Sequence, residues 1–365
     1  MKVLFVGGTR DFGKITVRRL LERDDDVTIF SRGNVRPDFW DDVDHIAGDR
    51  NDHDGFVEVL KGRQFDAVID NVAYVPDDVR AAIRAFKGNV GKYVVSSSVS
   101  VYGGPGHSTH WRTVGKGPGP SSEDEYVDLA ANVPLMEESI DLAGVSWDLD
   151  PTRDAYADGK RQMSRLLSET PDFPWVVMRI PSVLGPDERS DRLWFYLQRI
   201  LDGREMVLRD GGLGMFRPGF RDDVGQAFVD VIDSPRAVNE IYNITGNDIV
   251  NLRRFIGVIA EAACRTPNTV SIPGNVVETA SDLPWQDWWY DFFSRMPAYI
   301  PSIDKARRHF EMKTTPIETW MAETVEWYAT NPQPDSNGYE YRDAEVALCQ
   351  RWRNQYGAFE KAFTA

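Results

Sequence analysis

Residues 2–32 constrain this chain more than any other stretch. Val3-Leu4-Phe5-Val6 is a short apolar, β-branched-rich run, of the kind that forms a buried parallel strand. It leads into Gly7-Gly8-Thr9-Arg10-Asp11-Phe12-Gly13. Ile15, Val17, Leu20 and Leu21 then recur at near-helical spacing among Lys14, Arg18, Arg19, Glu22 and Arg23, and Val27-Thr28-Ile29-Phe30 is strand-like again. Strand, glycine turn, helix and strand within about 30 residues make the opening βαβ unit of a dinucleotide-binding fold. Glycines suit the turn because a side chain would bar the backbone from a pyrophosphate seated on the helix N-terminus. The spacing here, Gly7-x-x-Arg10-x-x-Gly13, lacks the middle glycine of the three-glycine fingerprint. A glycine turn without a dinucleotide is the alternative, and the flanking strand and helix weigh against it.

The alternation continues. Strands are expected at His45–Asp49, Phe65–Asp70, Lys92–Ser98, Trp175–Arg179 and Ile241–Ile244, with helices at Phe56–Leu60, Val79–Phe86, Asp154–Leu167, Leu193–Leu201, Val224–Ile232, Leu252–Ala263 and Ile317–Trp327. This pattern predicts an α/β fold, a doubly wound parallel Rossmann sheet with a smaller C-terminal lobe. Residues 1–180 form the expected cofactor domain, with 220–245 returning to it. Residues 181–219 and 246–332 are assigned to the substrate lobe and 333–365 to a polar, partly helical tail. Residues 103–150, rich in Gly, Pro, Ser and acid, read as an excursion with one short helix near Leu135–Leu142, and Gly211–Phe220 reads as a loop. The aromatic cluster at 282–293 reads as core packing. Gly7, Ser31, Asp49, Asn71 and Ser98 all stand at carboxyl ends of expected strands, where ligands bind in such sheets.

Composition narrows the functional classes. A net charge of −15 argues against a nucleic-acid or anionic-membrane surface. No apolar run approaches a membrane span, and Val3–Val6 is too short for a secretory signal. The two cysteines, Cys264 and Cys349, suit a reducing cytoplasm and offer no metal-ligand spacing.

Tyr156-Ala157-Asp158-Gly159-Lys160 carries the chemistry. Tyrosine and lysine four apart on a helix share one face. A phenol ordinarily loses its proton near pH 10, and a neighbouring ammonium or an oxidised nicotinamide favours the phenolate. Such a tyrosine can exchange a proton with a substrate hydroxyl while hydride moves to or from a nicotinamide. A serine at the end of Ser96-Ser97-Ser98 can orient the same oxygen. His107, His110 and Trp111 lie on the excursion, as surface residues or as substrate contacts.

With these residues in place, the chain resembles the extended short-chain dehydrogenase/reductase family, the NAD-dependent epimerases and dehydratases. The resemblance covers about residues 1–330 and rests on the glycine loop, Gly48-Asp49-Arg50, Ser96 to Gly103, Tyr156 with Lys160, Arg179 to Pro186, Phe220 to Val224 and Ile241 to Gly246. It implies Ser98 as the catalytic hydroxyl, Tyr156 as acid/base and Lys160 as the ribose-binding partner. It further implies cofactor contacts from Gly7, Thr9, Arg10, Asp11, Phe12, Gly13, Ser31, Arg32, Asp49, Arg50, Asn71, Val72, Ala73 and Pro181. Substrate contacts are expected from Tyr74, Ser98, Arg189 and Arg217. Arg10 in the loop matches an atypical branch that includes chloroplast stem-loop-binding proteins, which bind RNA. The arginine that usually precedes the Asp-Asp segment falls on Phe216, beside Arg217.

The resulting expectation is an NAD(P)-dependent oxidoreductase or epimerase acting on a carbinol or keto group of a sugar or sugar-nucleotide-like metabolite. It is expected to be cytoplasmic, free of membrane and metal, with a homodimer allowed. The alternative is a non-catalytic RNA-binding or cofactor-sensing protein on the same fold. NADP is favoured over NAD, because Ser31-Arg32-Gly33 follows the second strand and no carboxylate comes before Asp38. Arg32 stacking on the adenine, with both cofactors bound, is the other reading.

Overall fold

The computed structural model describes residues 1–102, 134–148, 155–285, 292–295 and 299–364. His107, His110, Trp111, Trp288, Trp289 and Tyr290 lie outside the described residues.

Seven strands build the central sheet: β1 (Lys2–Val6), β2 (Asp26–Ser31), β3 (Asp44–Ala47), β4 (Phe65–Asp70), β5 (Val90–Ser98), β6 (Trp175–Ile180) and β11 (Glu240–Asn243). They lie in the order β11-β6-β5-β4-β1-β2-β3, every neighbouring pair parallel. The order reverses at β1 and β4, so the crevice of this doubly wound sheet opens beyond their carboxyl ends. Near-continuous apolar sequence follows from burial on both faces: Val3 to Val6 and Ala67 to Ile69 are wholly buried. On one face, Phe5 and Ile69 pack with Phe12, Val17, Leu20, Val224 and Phe228. On the other, Leu4 and Val68 pack with Phe56, Val79, Phe86 and Met163.

Helix α1 (Asp11–Glu22) follows β1, with α2 (His53–Leu60), α3 (Pro76–Phe86) and α4 (Ala155–Ser168) after β3, β4 and β5. Helices α5 (Arg192–Asp202) and α6 (Arg221–Asp233) follow β6. α1 lies against α6, where Thr16 Oγ1 donates to the Gly225 carbonyl at 3.1 Å. Lys92 on β5 is buried and donates to the Val231, Ile232 and Ser234 carbonyls at 2.7–2.9 Å. Its cation thereby closes the negative C-terminal end of α6.

A third apolar cluster forms the lobe, drawing on α5, α7 (Leu252–Ala262) and α10 (Ile317–Thr330). Phe293 stacks on Phe216 with centroids 4.5 Å apart, and Trp285 is 3 % exposed, so the described part of the aromatic cluster is core. The expected loop at 211–220 instead contains β9 (Met215–Phe216), paired with β12 (Val250–Asn251), and β10 (Gly219–Phe220), paired with β7 (Val183–Leu184). A further parallel pair joins β8 (Met206–Arg209) to β13 (Thr269–Ile272), followed by the short α8 (Gly274–Val277). These strands are two to four residues long, and their partners are remote in sequence.

The helix expected near Leu135–Leu142 is a 3-10 turn at Glu137–Ser139. Leu135 accepts from Ser302 N and donates to the Ile300 carbonyl, both at 2.9 Å, which draws the backbone out to a neighbouring segment. Beyond α9 (Asp304–Phe310), the C-terminal residues 342–364 form a long helix, α11. Its first turns are docked on the lobe: Glu345 Oε2 accepts from Arg199 Nε at 3.0 Å and Arg342 pairs with Asp202 at 2.8 Å, Arg199, Glu345 and Arg342 all being buried. No described helix is long and apolar enough to cross a membrane.

Candidate active site

The chain turns at the β1 carboxyl end through Gly7 and Gly8, with φ of +97° and +74°. Gly8 has no room for a side chain, since a Cβ would stand 2.7 Å from the Phe5 ring. Gly13 is equally tight, a Cβ there meeting Gly8 Cα at 3.0 Å, so the first turn of α1 lies directly on the loop. Arg10 caps α1 without a side-chain hydrogen bond, so no side chain of the cap closes the opening amides. That is the cradle an anion requires. The residues fit a dinucleotide pyrophosphate. Thr9 is half-buried and Arg10 exposed beside it, while Phe12 packs on Phe228 at 5.2 Å. Burial raises the Asp11 carboxyl above its ordinary range, against the opposing pull of Arg189.

At the end of β2 the Ser31 hydroxyl is already engaged. It accepts from Gly33 N at 3.2 Å and lies 3.1 Å from His45 Nε2. Arg32 is exposed. The first carboxylate after the strand, Asp38, is paired with Arg18 at 2.8 Å, which holds it below the usual carboxylate range. Asp49 is exposed and accepts from Asn51 N at 2.9 Å. Arg50 is elsewhere: it is buried, donating to Asp70 Oδ2 at 3.0 Å and to the Asp78 carbonyl at 2.5 Å, with its guanidinium 4.1 Å from the Phe56 ring centroid.

This ion network braces the next segment. Asp70 Oδ1 accepts from Val72 N at 3.2 Å, and Asp78 Oδ2 accepts from Tyr74 N and Val75 N at 2.6 and 3.0 Å. Asn71 is held from both sides, its backbone N–H donating to the Val6 carbonyl at 3.1 Å and its Oδ1 accepting from Ser96 Oγ at 2.7 Å. The segment 71–75 is therefore fixed across the carboxyl ends of β1, β4 and β5.

Lys160 completes the arrangement. It is 2 % exposed, and its Nζ donates to the Ala73 carbonyl at 2.5 Å and the Ser96 carbonyl at 2.7 Å. Burial lowers its ammonium to about 8, Asp70 and Asp78 opposing the fall. The Nζ is 5.6 Å from the Tyr156 ring centroid and 4.7 Å from that of Tyr74. Tyr156 is 42 % exposed on the first turn of α4, with its ring 6.2 Å from that of Tyr74. Ser98 is half-buried at the β5 end, two residues beyond Ser96, so strand alternation puts both side chains on the same face.

The opposite wall comes from the segment after β6. A cleft of about 380 Å³ is lined by Asp11 and Phe12 on one side and by Pro181, Glu188, Arg189, Arg192 and Arg221 on the other. Lys14 on α1 pairs with Asp187 across this boundary at 2.5 Å. Arg217 is not among the cleft-lining residues; it donates to the Pro301 carbonyl at 2.6 Å.

A family model described as the NAD dependent epimerase/dehydratase family matches residues 3–245, two thirds of the chain and all of the crevice just described. The chain belongs to the NAD-dependent epimerase/dehydratase family. It is 26% identical over 275 residues to a 2'-dehydrokanamycin reductase of Streptomyces kanamyceticus, covering 75% of this chain and 70% of that protein. It is 24% identical over 275 residues to the chloroplast stem-loop binding protein of 41 kDa b of Arabidopsis thaliana, spanning 72% of this chain but 63% of that protein's length. The fold matches a dTDP-glucose 4,6-dehydratase from Bacillus anthracis in complex with NAD, with a TM-score of 0.63 at 17% identity over 91% of this chain and 97% of that one. It also matches a UDP-glucose 4-epimerase from Thermotoga maritima with UDP-glucose, with a TM-score of 0.65 at 15% identity over 91% and 100%.

Within this family framework, three features escaped the sequence. Gly159 sits where a Cβ would stand 2.4 Å from the Tyr74 carbonyl, so α4 meets the 71–75 segment only because this residue is glycine. It lies inside the Tyr156–Lys160 motif and signals itself there only as a helix-interior glycine. Glu188 and Arg192 line the cleft from residues that carry no local pattern, and Arg221 lines it from within the Phe220–Val224 segment, which carried no site assignment. Asp78 anchors the segment that holds Lys160, although its sequence context suggests only a helix start.

Proposed function

We propose that this family member is an NAD(P)-dependent oxidoreductase that moves a hydride at a carbinol or keto carbon of a sugar-like substrate, as a reductase or within an epimerisation or dehydration. The observation that carries the reading is Lys160, buried and pinned between the Ala73 and Ser96 carbonyls one helical turn from Tyr156. The buried Lys92 has a plain structural use, closing the end of α6. Lys160 closes no helix end; it lies beside a phenol, whose ionised form a buried cation favours. A bound nicotinamide dinucleotide would supply the hydride acceptor or donor, with its pyrophosphate on the Gly7–Gly13 cradle and its ribose near Lys160. Tyr156 Oη would take or return the proton of the substrate oxygen, and Ser98 Oγ would orient that oxygen. Lys160 would stabilise the phenolate and keep the proton path poised near neutral pH.

NADP remains the favoured cofactor in this proposal, because Arg32 is exposed at the β2 end and the first carboxylate after it in sequence, Asp38, is tied to Arg18. The substrate class draws support from the relatives: one is named a reductase of 2'-dehydrokanamycin, and structural neighbours carry glucose nucleotides in their names.

The Arabidopsis relative is named for stem-loop binding, and Arg10 is exposed on the glycine loop, which together support an RNA-binding reading. The net charge of −15 opposes it. One experiment separates the two. Binding of NADH and NADPH and turnover of keto-sugars are measured for the parent, Tyr156→Phe and Lys160→Ala. Tyr156→Phe is expected to lose turnover while keeping dinucleotide affinity, and Lys160→Ala to lose both. Full activity of Tyr156→Phe, or salt-sensitive RNA retention with no dinucleotide binding, would overturn the enzymatic reading.

A further inference from the structure

The carboxyl end of β2 is held from β3 by one side chain. The two strands are parallel, with His45 opposite Ile29 and Ala47 opposite Ser31. Alternation along β2 puts Ile29 and Ser31 on one face, and His45 shares it. His45 Nε2 lies 3.1 Å from the Ser31 carbonyl oxygen and 3.1 Å from Ser31 Oγ. A carbonyl oxygen can only accept, so the His45 ring carries its proton on Nε2 and shares it between these two oxygens. The same ring flanks the turn that follows: Gly33 takes φ of +73°, and a Cβ there would stand 3.3 Å from His45 Cε1. Trp40 packs on the imidazole with centroids 4.6 Å apart, which fixes the ring in place.

This tautomer decides what Ser31 can do. A serine hydroxyl has two acceptor lone pairs and one proton. The lone pairs of Ser31 Oγ are taken by Gly33 N at 3.2 Å and by His45 Nε2. With Nε2 as a donor, the hydroxyl proton of Ser31 has no acceptor among the described residues. Ser31 is half-buried at the strand end, beside the exposed Arg32.

We propose that His45 is a positioning residue for dinucleotide selection: by filling the acceptor side of Ser31, it leaves that hydroxyl solely a donor toward the adenosine ribose 2′ position, where it favours a 2′-phosphate. The assignment rests on the NADP reading above and deepens it, since the choice of cofactor then depends on a residue of the neighbouring strand acting through Ser31. Ionised phosphate oxygens accept, and they meet such a donor in a charge-assisted bond. A ribose 2′-hydroxyl gains less, because its own proton finds no free lone pair on Ser31. The other tautomer would reverse this. A bare Nε2 would take the Ser31 proton and set its lone pair against the Ser31 carbonyl.

The test uses the nucleotide-stripped full chain, titrated with NADPH and with NADH by fluorescence. Parent, Ser31→Ala, His45→Phe, His45→Gln and the Ser31→Ala/His45→Phe double variant are compared, with thermal unfolding as a check on folding. Phenylalanine keeps a ring beside Trp40 and removes the donor, whereas glutamine restores an N–H. His45→Phe is expected to lower the ratio of NADPH to NADH affinity about tenfold, as Ser31→Ala does, while His45→Gln keeps most of it. The double variant should lose no more than Ser31→Ala alone, because His45 acts only through that hydroxyl. Preference lost in Ser31→Ala but kept in His45→Phe, or losses that add in the double variant, overturns the assignment and leaves the NADP reading standing. A parent that shows no preference for NADPH overturns that reading together with this one. Long-range proton–nitrogen spectra of the histidine-labelled parent, at about pH 8 where an ordinary imidazole is neutral, read the tautomer directly. A His45 proton on Nε2 is expected; one on Nδ1 overturns the assignment whether or not the variants fold.

Discussion

Replacing Gly159 by alanine sets two physical effects against each other. On helix propensity alone the change should stabilise α4 by about 1 kcal/mol. The structure predicts the opposite. The new Cβ would stand 2.4 Å from the Tyr74 carbonyl oxygen, where an ordinary contact begins near 3.4 Å, so helix and segment must part by about 1 Å. Neither side yields cheaply, because Tyr74 N is held by Asp78 and α4 is held by Arg161 Nε on the Val101 carbonyl at 2.7 Å. Overpacking of this kind costs about 1–3 kcal/mol. The same retreat stretches the Lys160 bonds to the Ala73 and Ser96 carbonyls, from 2.5 and 2.7 Å toward the limit of hydrogen bonding. Bonds to charged groups are worth about 1.5–3 kcal/mol each. The expected net result is a destabilisation of about 1–2 kcal/mol and a drop of at least about tenfold in NADH affinity. Urea unfolding and fluorescence titration with NADH measure the two. A variant as stable as the parent that binds NADH equally well would refute the claim that this glycine sets the Lys160 position.

Two further outcomes are expected. Arg32→Ala should weaken NADPH about tenfold and NADH little, read by parallel titrations of the nucleotide-stripped protein; equal losses would remove the 2′-phosphate role. Glu345→Ala should destabilise the fold by about 3–5 kcal/mol in urea unfolding, because it takes the shared anion from between the buried Arg199 and Arg342 guanidiniums. A loss below about 1 kcal/mol would mean that apolar packing, not this ion network, fixes α11 on the lobe.

The sheet was legible in the chain because its inner strands are short apolar runs buried on both faces, the edge strand β3 (Asp44–Ala47) being the polar exception, and each helix between them carries its own 3.6-residue period. Local chemistry also marked the glycine loop and the Tyr156–Lys160 pair, since a cradle needs missing side chains and a helix places residues four apart on one face. Those signals are carried by neighbours in sequence. What they left open was decided by contacts between distant residues. Arg50 follows the Gly48-Asp49 pair at a strand end, yet Asp70 and Asp78 draw it into the protein, where it braces the segment that holds Lys160. The strands at 206–220 and 250–272 are too short to show a period, and exist because remote backbone groups pair with them. Leu135–Leu142 had helical composition, and pairing with Ile300 and Ser302 overrode it. The cleft wall shows the same division: Arg189 was expected at a substrate site, but Glu188 and Arg192 beside it line a cleft that exists only where the β7–α5 segment folds against the first turn of α1.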